Sequence, residues 1–178
     1  MESLNLTGRK ALVVGIANEH SLAWQAARHF HAAGAELAVT YLNEKARPFI
    51  EPLMGDGGSL TTLSYYGAEK VVDHYNVMGP VKTALEASVR YLAHELGGWG
   101  IRVNAISAGA VRTRAAAGIE HFEELLEETA RKAPLRRTVD ACEVGRAALL
   151  LASGQAAGIT GEILHVDAGF HVDGMVFH

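Results

Sequence analysis

Between Lys10 and Thr40 the chain spells a short apolar strand, a helix and a second apolar strand: Lys10 to Val14, Ser21 to Ala33, and Glu36 to Thr40. Ser21 stands at the helix N-cap position and Gly34 just past the helix end, so both boundaries carry their own signal. Two strands joined through one helix form a parallel pair with a right-handed crossover. Parallel strands bury both faces, so such a unit needs further strands and helices to cover it. The rest of the chain supplies them. Ser59 to Ser64, Arg102 to Ile106 and Gly161 to Val166 read as strands. Asn76 to Leu96 reads as a long apolar-periodic helix. Ile119 to Ala133 and Asp140 to Ser153 read as two more, the last opened by a capping box of Asp140 and Glu143. Five strands alternating with helices predict an α/β fold built on a doubly wound parallel sheet.

One stretch breaks the pattern. Glu44 to Leu53 starts as a helix but meets Pro48 and Pro52, and Met54 to Gly58 is a turn-rich junction leading directly into the next strand. Length and composition otherwise describe one globular domain: 178 residues, 49% hydrophobic and 20% charged. A formal charge of −4 without a basic stripe argues against nucleic acid or an anionic membrane as partner. The single cysteine, Cys142, cannot close an internal disulfide and lies where a small buried apolar residue is expected, which suits a reducing, cytoplasmic setting. Neither an export signal nor a membrane span is read. The nine histidines are scattered, with His29 and His31 on different faces of their helix, so no metal site is expected.

From Val14 through Gly15 to Ser21, Leu22 and Ala23, the first strand runs into a loop that delivers a helix N-terminus. Its free N–H groups and dipole favour an anion such as a pyrophosphate, with Gly15 permitting close approach. An ordinary strand-to-helix turn would look the same, because the loop lacks two glycines of the full dinucleotide fingerprint. After the second strand, Thr40 to Glu44 places no carboxylate at the strand end to hold a ribose 2′-hydroxyl. Lys45 and Arg47 leave a 2′-phosphate open.

The segment from Thr62 to Lys82 contains tyrosines and lysines at the entrance to the long helix. This resembles the short-chain dehydrogenase/reductase superfamily, with its Rossmann-like sheet. There a tyrosine hydroxyl donates to the substrate oxygen, and a lysine binds the nicotinamide ribose and lowers the tyrosine pKa. Two pairings compete: Tyr66 with Lys70, at carbonyl-reductase spacing, and Tyr75 with Lys82. Position favours the second, since the lysine should precede the strand Arg102-Val-Asn-Ala-Ile106 by about one long helix, and Lys70 lies twelve residues too early. On a continuous helix Tyr75 and Lys82 would stand about 20° apart around the axis and about 10 Å apart along it.

Tyr75 and Lys82 with six residues between them, Tyr65 ten residues earlier, and the run Tyr75-Asn-Val-Met-Gly79 resemble the enoyl-acyl carrier protein reductases in particular. The likeness continues through Arg102 to Gly109, Val111 to Thr113, Ala115 to Ile119, Pro134 to Thr138, Gly158 to Glu162 and His165 to Phe170. It implies NADH-dependent reduction of the trans-2 double bond of an enoyl thioester in fatty acid biosynthesis, NADPH being the second choice of cofactor. Tyr75 would contact the thioester carbonyl, Tyr65 would line the pocket and assist protonation, and Lys82 would hold the ribose. Gly15, Ser21 and Leu22 match pyrophosphate positions and Leu42 an adenosine-side position. Val111, Arg112, Thr113, Arg114 and Ala115 match the segment along the nicotinamide. Residues 114–118 and the following helix would form a mobile flap over the acyl chain. Acyl carrier protein is the implied partner, with Arg131, Lys132, Arg136 and Arg137 as a docking face or merely a solvated one. A homo-oligomer, dimer or tetramer, is implied as well.

The resemblance also implies a gap. Family members carry two further βα units between the second strand and the active-site strand, roughly sixty to eighty residues that this chain lacks. Residues 1–178 then form a single incomplete Rossmann-like domain, with 1–53 as the first βαβ unit and 59–178 carrying the catalytic helix, flap and last strand. One lost strand would have stood between the first strand and the active-site strand, so the sheet should either close up or stay open with unpaired backbone groups. A non-catalytic remnant that only binds, and a carbonyl-reducing dehydrogenase using Tyr66 and Lys70, are the alternatives.

Overall fold

The computed structural model describes residues 5–8, 10–14, 22–40, 58–113 and 121–172. Gly15, Ser21, Leu42, Arg114, Ala115 and the helix expected at 44–53 lie outside the described residues. The elements follow in chain order: β1 (Lys10–Val14), α1 (Leu22–Ala32), β2 (Glu36–Thr40), β3 (Gly58–Tyr65), α2 (Met78–Gly97), β4 (Ile101–Ala108), α3 (Phe122–Lys132), α4 (Ala141–Ala152) and β5 (Ile163–Val166).

All strand pairs are parallel, but they form two sheets. β1 pairs with β2 from Lys10 opposite Glu36 to Val14 opposite Thr40, and the second sheet has the order β3-β4-β5. Of the two outcomes left open for the sheet, the described residues show the open one, with no strand pairing between β1 and β3. The edge of β3 shows the consequence. The Gly58 N–H donates to the Gly100 carbonyl beside β4, and along a strand successive residues direct their backbone groups to opposite edges. Ser59, Thr61, Leu63 and Tyr65 therefore direct theirs away from β4, to an edge on which no described strand pairs. Nearby, the buried Thr61 hydroxyl has no hydrogen-bond partner among the described residues.

The two sheets are joined by side-chain packing instead. Leu6, Phe30 and Ala35 from the first unit share one buried cluster with Ile106, Val144 and Leu151 from the second. α1 lies on α4 at Gly145, where a Cβ would stand 2.7 Å from His29 Cδ2 and 3.1 Å from the Gln25 backbone. Cys142 is half-buried at this contact rather than a plain core residue, its Sγ 3.3 Å from His29 Nε2. On the opposite face Val89 and Ala93 of α2 cover Ile101, Val103 and Ala105 of β4.

The motif around Arg102 and Asn104 proves to be a brace. Arg102 donates to the carbonyls of Leu151 (2.6 Å) and Ser153 (3.2 Å), satisfying the end of α4. Asn104, wholly buried, donates to the Ile159 carbonyl and accepts from the Glu162 N–H. The bend before β5 is thereby fixed. Gly161, at φ 75°, donates its N–H to the Val103 carbonyl, which shortens the expected strand to Ile163–Val166.

The α4 cap forms as expected: the Asp140 carboxylate accepts from the Glu143 N–H and the Glu143 carboxylate from the Asp140 N–H. α2 starts at Met78, not Asn76, because Asn76 has φ 47°. His121, at φ 56°, likewise delays α3 to Phe122.

Candidate active site

In open parallel sheets, ligands bind beyond the carboxyl ends of the strands. Tyr65 ends β3 opposite Ala108 of β4, which stands opposite Val166 of β5, so its phenol is at that end. The chain then makes a single 3-10 turn, Tyr66–Ala68, and loops back to Tyr75. The rings of Tyr65 and Tyr75 meet edge to face, centroids 4.9 Å apart and planes at 60°. His74 and Asn76, on either side of Tyr75, take left-handed backbone conformations at φ 60° and 47°. Histidine and asparagine are among the residues that tolerate that region best. Gly67 makes room for the ring, since a Cβ there would stand 2.6 Å from Tyr75 Cδ1. Thr83 ties α2 to the turn through its hydroxyl, which donates to the Ala68 carbonyl at 2.8 Å.

Lys82 lies on α2, and its Nζ donates to the Leu63 carbonyl at 2.8 Å, on the unpaired edge of β3 and two residues before Tyr65. The ammonium and the two tyrosines thus belong to the same end of β3. Tyr75 precedes α2 instead of riding on it, so the helical spacing of 20° and 10 Å does not apply. The loop, not the helix, sets the ring's position. Beside Lys82, the buried carboxylate of Glu86 accepts a hydrogen bond from the Ser64 hydroxyl.

Burial dominates the electrostatics. It pushes the Tyr65 phenol up to about 12, with smaller contributions from Tyr75 and Tyr66. Burial raises Tyr75 as well and lowers Lys82, the last opposed by Glu86. The resemblance implies a lysine that lowers the tyrosine pKa. In this arrangement the phenols move the other way, because desolvation of the phenolate outweighs any such effect. Both hydroxyls are therefore hydrogen-bond donors at neutral pH.

The other expected residues are spread more widely. Val111 is buried in the core after β4, and Arg112 forms an exposed bidentate pair with Glu123 beside an open cleft of about 480 Å³ that Thr113 also lines. Leu22 opens α1 and packs against the main core. Tyr66 and Lys70 do not share a helix: Tyr66 packs edge to face on Phe170 at 5.1 Å, and Lys70 is exposed in the following turn. In the basic group, Arg131 and Lys132 pair with Glu128 and Arg137 with Glu143. Among the described residues no group of three potential ligands could hold a metal ion.

Three contributors escaped the sequence reading: Ser64, Gly67 and Glu86. A charged residue at an inward position of α2 was the available signal for Glu86. Gly67 had only its neighbourhood to the tyrosines.

A family model described as enoyl-(acyl carrier protein) reductase matches residues 15–53 and 48–171, two pieces that overlap at 48–53, just before the turn-rich junction. Among curated relatives, the NADH-type enoyl-[acyl-carrier-protein] reductase 1 of Rhizobium meliloti is 36% identical over 252 positions, spanning 96% of this chain and 93% of the relative. The Bacillus subtilis enzyme is 34% identical, spanning 96% and 98%. This chain has 178 residues, so at least 74 positions of the Rhizobium alignment fall opposite none of its residues. The Bacillus cereus reductase, solved with NADP+ and an indole naphthyridinone, superimposes with a TM-score of 0.89 at 33% identity, spanning 96% of this chain and 99% of that one. The Anaplasma phagocytophilum reductase, solved with NAD, gives 0.84 at 36% identity, spanning 96% and 94%. Two matched pieces, kinship along nearly the whole chain and a common fold make this chain a member of the enoyl-[acyl-carrier-protein] reductase family.

Proposed function

We propose that the chain reduces the trans-2 double bond of an enoyl thioester on acyl carrier protein, in fatty acid biosynthesis, with NADH as donor. The observation that carries this reading is the Tyr65–Tyr75 ring pair at the carboxyl end of β3, with the Lys82 ammonium held two residues away. The relatives' names specify NADH, and one neighbour holds NADP+.

The described residues fit the nicotinamide end of such a cofactor. Lys82 gives one hydrogen bond to Leu63 and an ammonium has three donors, leaving donors for ribose hydroxyls. Val111, Arg112 and Thr113, continued by Arg114 and Ala115, would line the nicotinamide. Gly15, Ser21, Leu22 and Leu42 would serve the pyrophosphate and adenosine. When bound, the dinucleotide supplies a hydride to the β-carbon of the enoyl group. Negative charge then develops on the thioester oxygen, where the Tyr75 hydroxyl donates a hydrogen bond. A phenol raised by burial stays protonated for that task. Tyr65, buried beside it, lines the acyl pocket and assists protonation at the α-carbon.

α2 supports assembly of several copies. Val77, Val81, Ala84, Ser88 and Leu92 recur every three or four residues, all exposed, so they form one small and apolar stripe with Tyr91 beside it. We place this homo-oligomer in the cytoplasm; no described helix is long and apolar enough to cross a membrane.

The test is NADH oxidation with a crotonyl thioester. Tyr75→Phe should lower kcat about 100-fold or more while leaving NADH binding intact. The interrupted sheet favours a second reading, a remnant that binds without turnover. Saturable NADH binding with no oxidation by the unaltered chain would establish that one instead.

A further inference from the structure

Glu86 is a carboxylate only 6% exposed, on the inward face of α2, and the reaction outlined above gives it no task. A buried carboxylate is costly unless hydrogen-bonded and paired with charge, so its neighbours are informative. They lie on three consecutive residues of β3. Leu63 accepts from Lys82, Ser64 donates to Glu86, and Tyr65 carries the buried phenol. Lys82 and Glu86 are four residues apart, so α2 is fastened to the end of β3 at two points one helical turn apart. That fixes both the rotation of the helix and its advance along the strand.

We propose that Glu86 is a positioning residue: by accepting from Ser64 it holds α2 against the end of β3 and so sets where the Lys82 ammonium stands relative to Tyr65. This rests on the reading of Lys82 as the ribose-holding lysine. Among the described residues Glu86 is the charge acting on Lys82, and it counters the effect of burial. β3 brings to the pair the neutral Leu63 carbonyl and Ser64 hydroxyl. The carboxylate therefore also favours the charged form of the ammonium against burial, a task that a merely structural residue would not perform.

The test is competitive amine labelling of the full chain, read at Lys82 by mass spectrometry across a pH series, for the unaltered protein, Glu86→Gln and Ser64→Ala. Glu86→Gln keeps the shape and removes the charge. It should move the Lys82 labelling midpoint to lower pH and speed labelling several-fold at a fixed alkaline pH. Ser64→Ala keeps the charge and removes the tether, so it should change Lys82 labelling less while weakening NADH affinity several-fold. Folding of each variant is checked by its circular dichroism. A folded Ser64→Ala protein with unchanged NADH affinity would overturn the positioning role, and a folded Glu86→Gln protein with unchanged Lys82 reactivity would overturn the charge role. Labelling needs neither substrate nor turnover, so an inactive parent chain would count against the proposed reaction alone.

Discussion

The two sheets of this protein are held in different ways. In the β3-β4-β5 unit, Arg102 and Asn104 reach the carbonyls of Leu151, Ser153 and Ile159, and β4 is buried along almost its whole length. The β1-β2 unit has its own ladder and joins the other through α1 on α4 and the shared cluster around Ile106, with no strand pairing between them among the described residues. Among the described residues the helix contact stands in place of a ladder between the two units, and Tyr65, Tyr75 and Lys82 all belong to the unit that keeps its ladder. On the edge of β3 that no described strand pairs, Lys82 satisfies the Leu63 carbonyl, and on the same strand the Thr61 hydroxyl has no partner among the described residues.

The largest effect is expected from removing a brace in the stronger unit. Asn104→Leu leaves the Ile159 carbonyl and the Glu162 N–H without their side-chain partner and should cost on the order of 2–4 kcal/mol. Urea unfolding measures it. A loss below half of the lower figure would mean that the brace is replaceable. The joint between the units comes next. Gly145→Val puts a branched side chain where even a Cβ meets the Gln25 backbone at 3.1 Å, and overpacking of this kind costs about 1–3 kcal/mol. Hydrogen exchange should then quicken at β1 and β2 and stay slow at β4. Equal acceleration in all strands would show that the units unfold as one. Gly67→Ala acts inside the stronger unit without unfolding it. The new methyl must displace the Tyr75 ring, so kcat should fall about tenfold, a displaced catalytic group being costly, while melting temperature changes little.

The sequence made the strands, the helices and the Asp140–Glu143 cap legible because each is a local signal: apolar period, N-cap, chain-breaking proline. Pro48, Pro52 and Gly55 to Gly58 cluster at the expected break, beside the stretch 48–53 shared by the two family-matched pieces. Where local signals compete with long-range geometry, the sequence did less well. His74 and Asn76 tolerate a left-handed backbone but do not require one, so the apolar period alone starts the helix two residues early, at Asn76. Ser64 and Glu86 are separated by 22 residues, and their hydrogen bond exists only once α2 lies on β3. The tyrosines and Lys82 were legible through the family's spacing, which stores the result of that packing without stating its cause.

The smallest effect concerns pH, and it probes both limbs of stability within the β3-β5 unit. Arg137 and the Asp140 N–H hold the Glu143 carboxyl down at about 2, from an ordinary value of 4.5. A depressed carboxyl contributes stability that is present above the ordinary value and lost as pH falls toward the folded one, so this contribution should fade between pH 4.5 and about 2. Glu143 is only partly buried and solvent screens the pair, which keeps the effect modest. Tyr65 has the opposite sign. Its phenol rises from 10.0 to about 12, so the folded state prefers the neutral form, and the associated stability is complete below pH 10 and lost as pH climbs toward 12. Chemical denaturation at stepped pH should therefore show Glu143→Gln flattening the acid limb alone and Tyr65→Phe the alkaline limb alone. If Tyr65→Phe leaves the alkaline limb unchanged, the phenol at the end of β3 is in contact with water, and the desolvated pocket assigned to it does not exist.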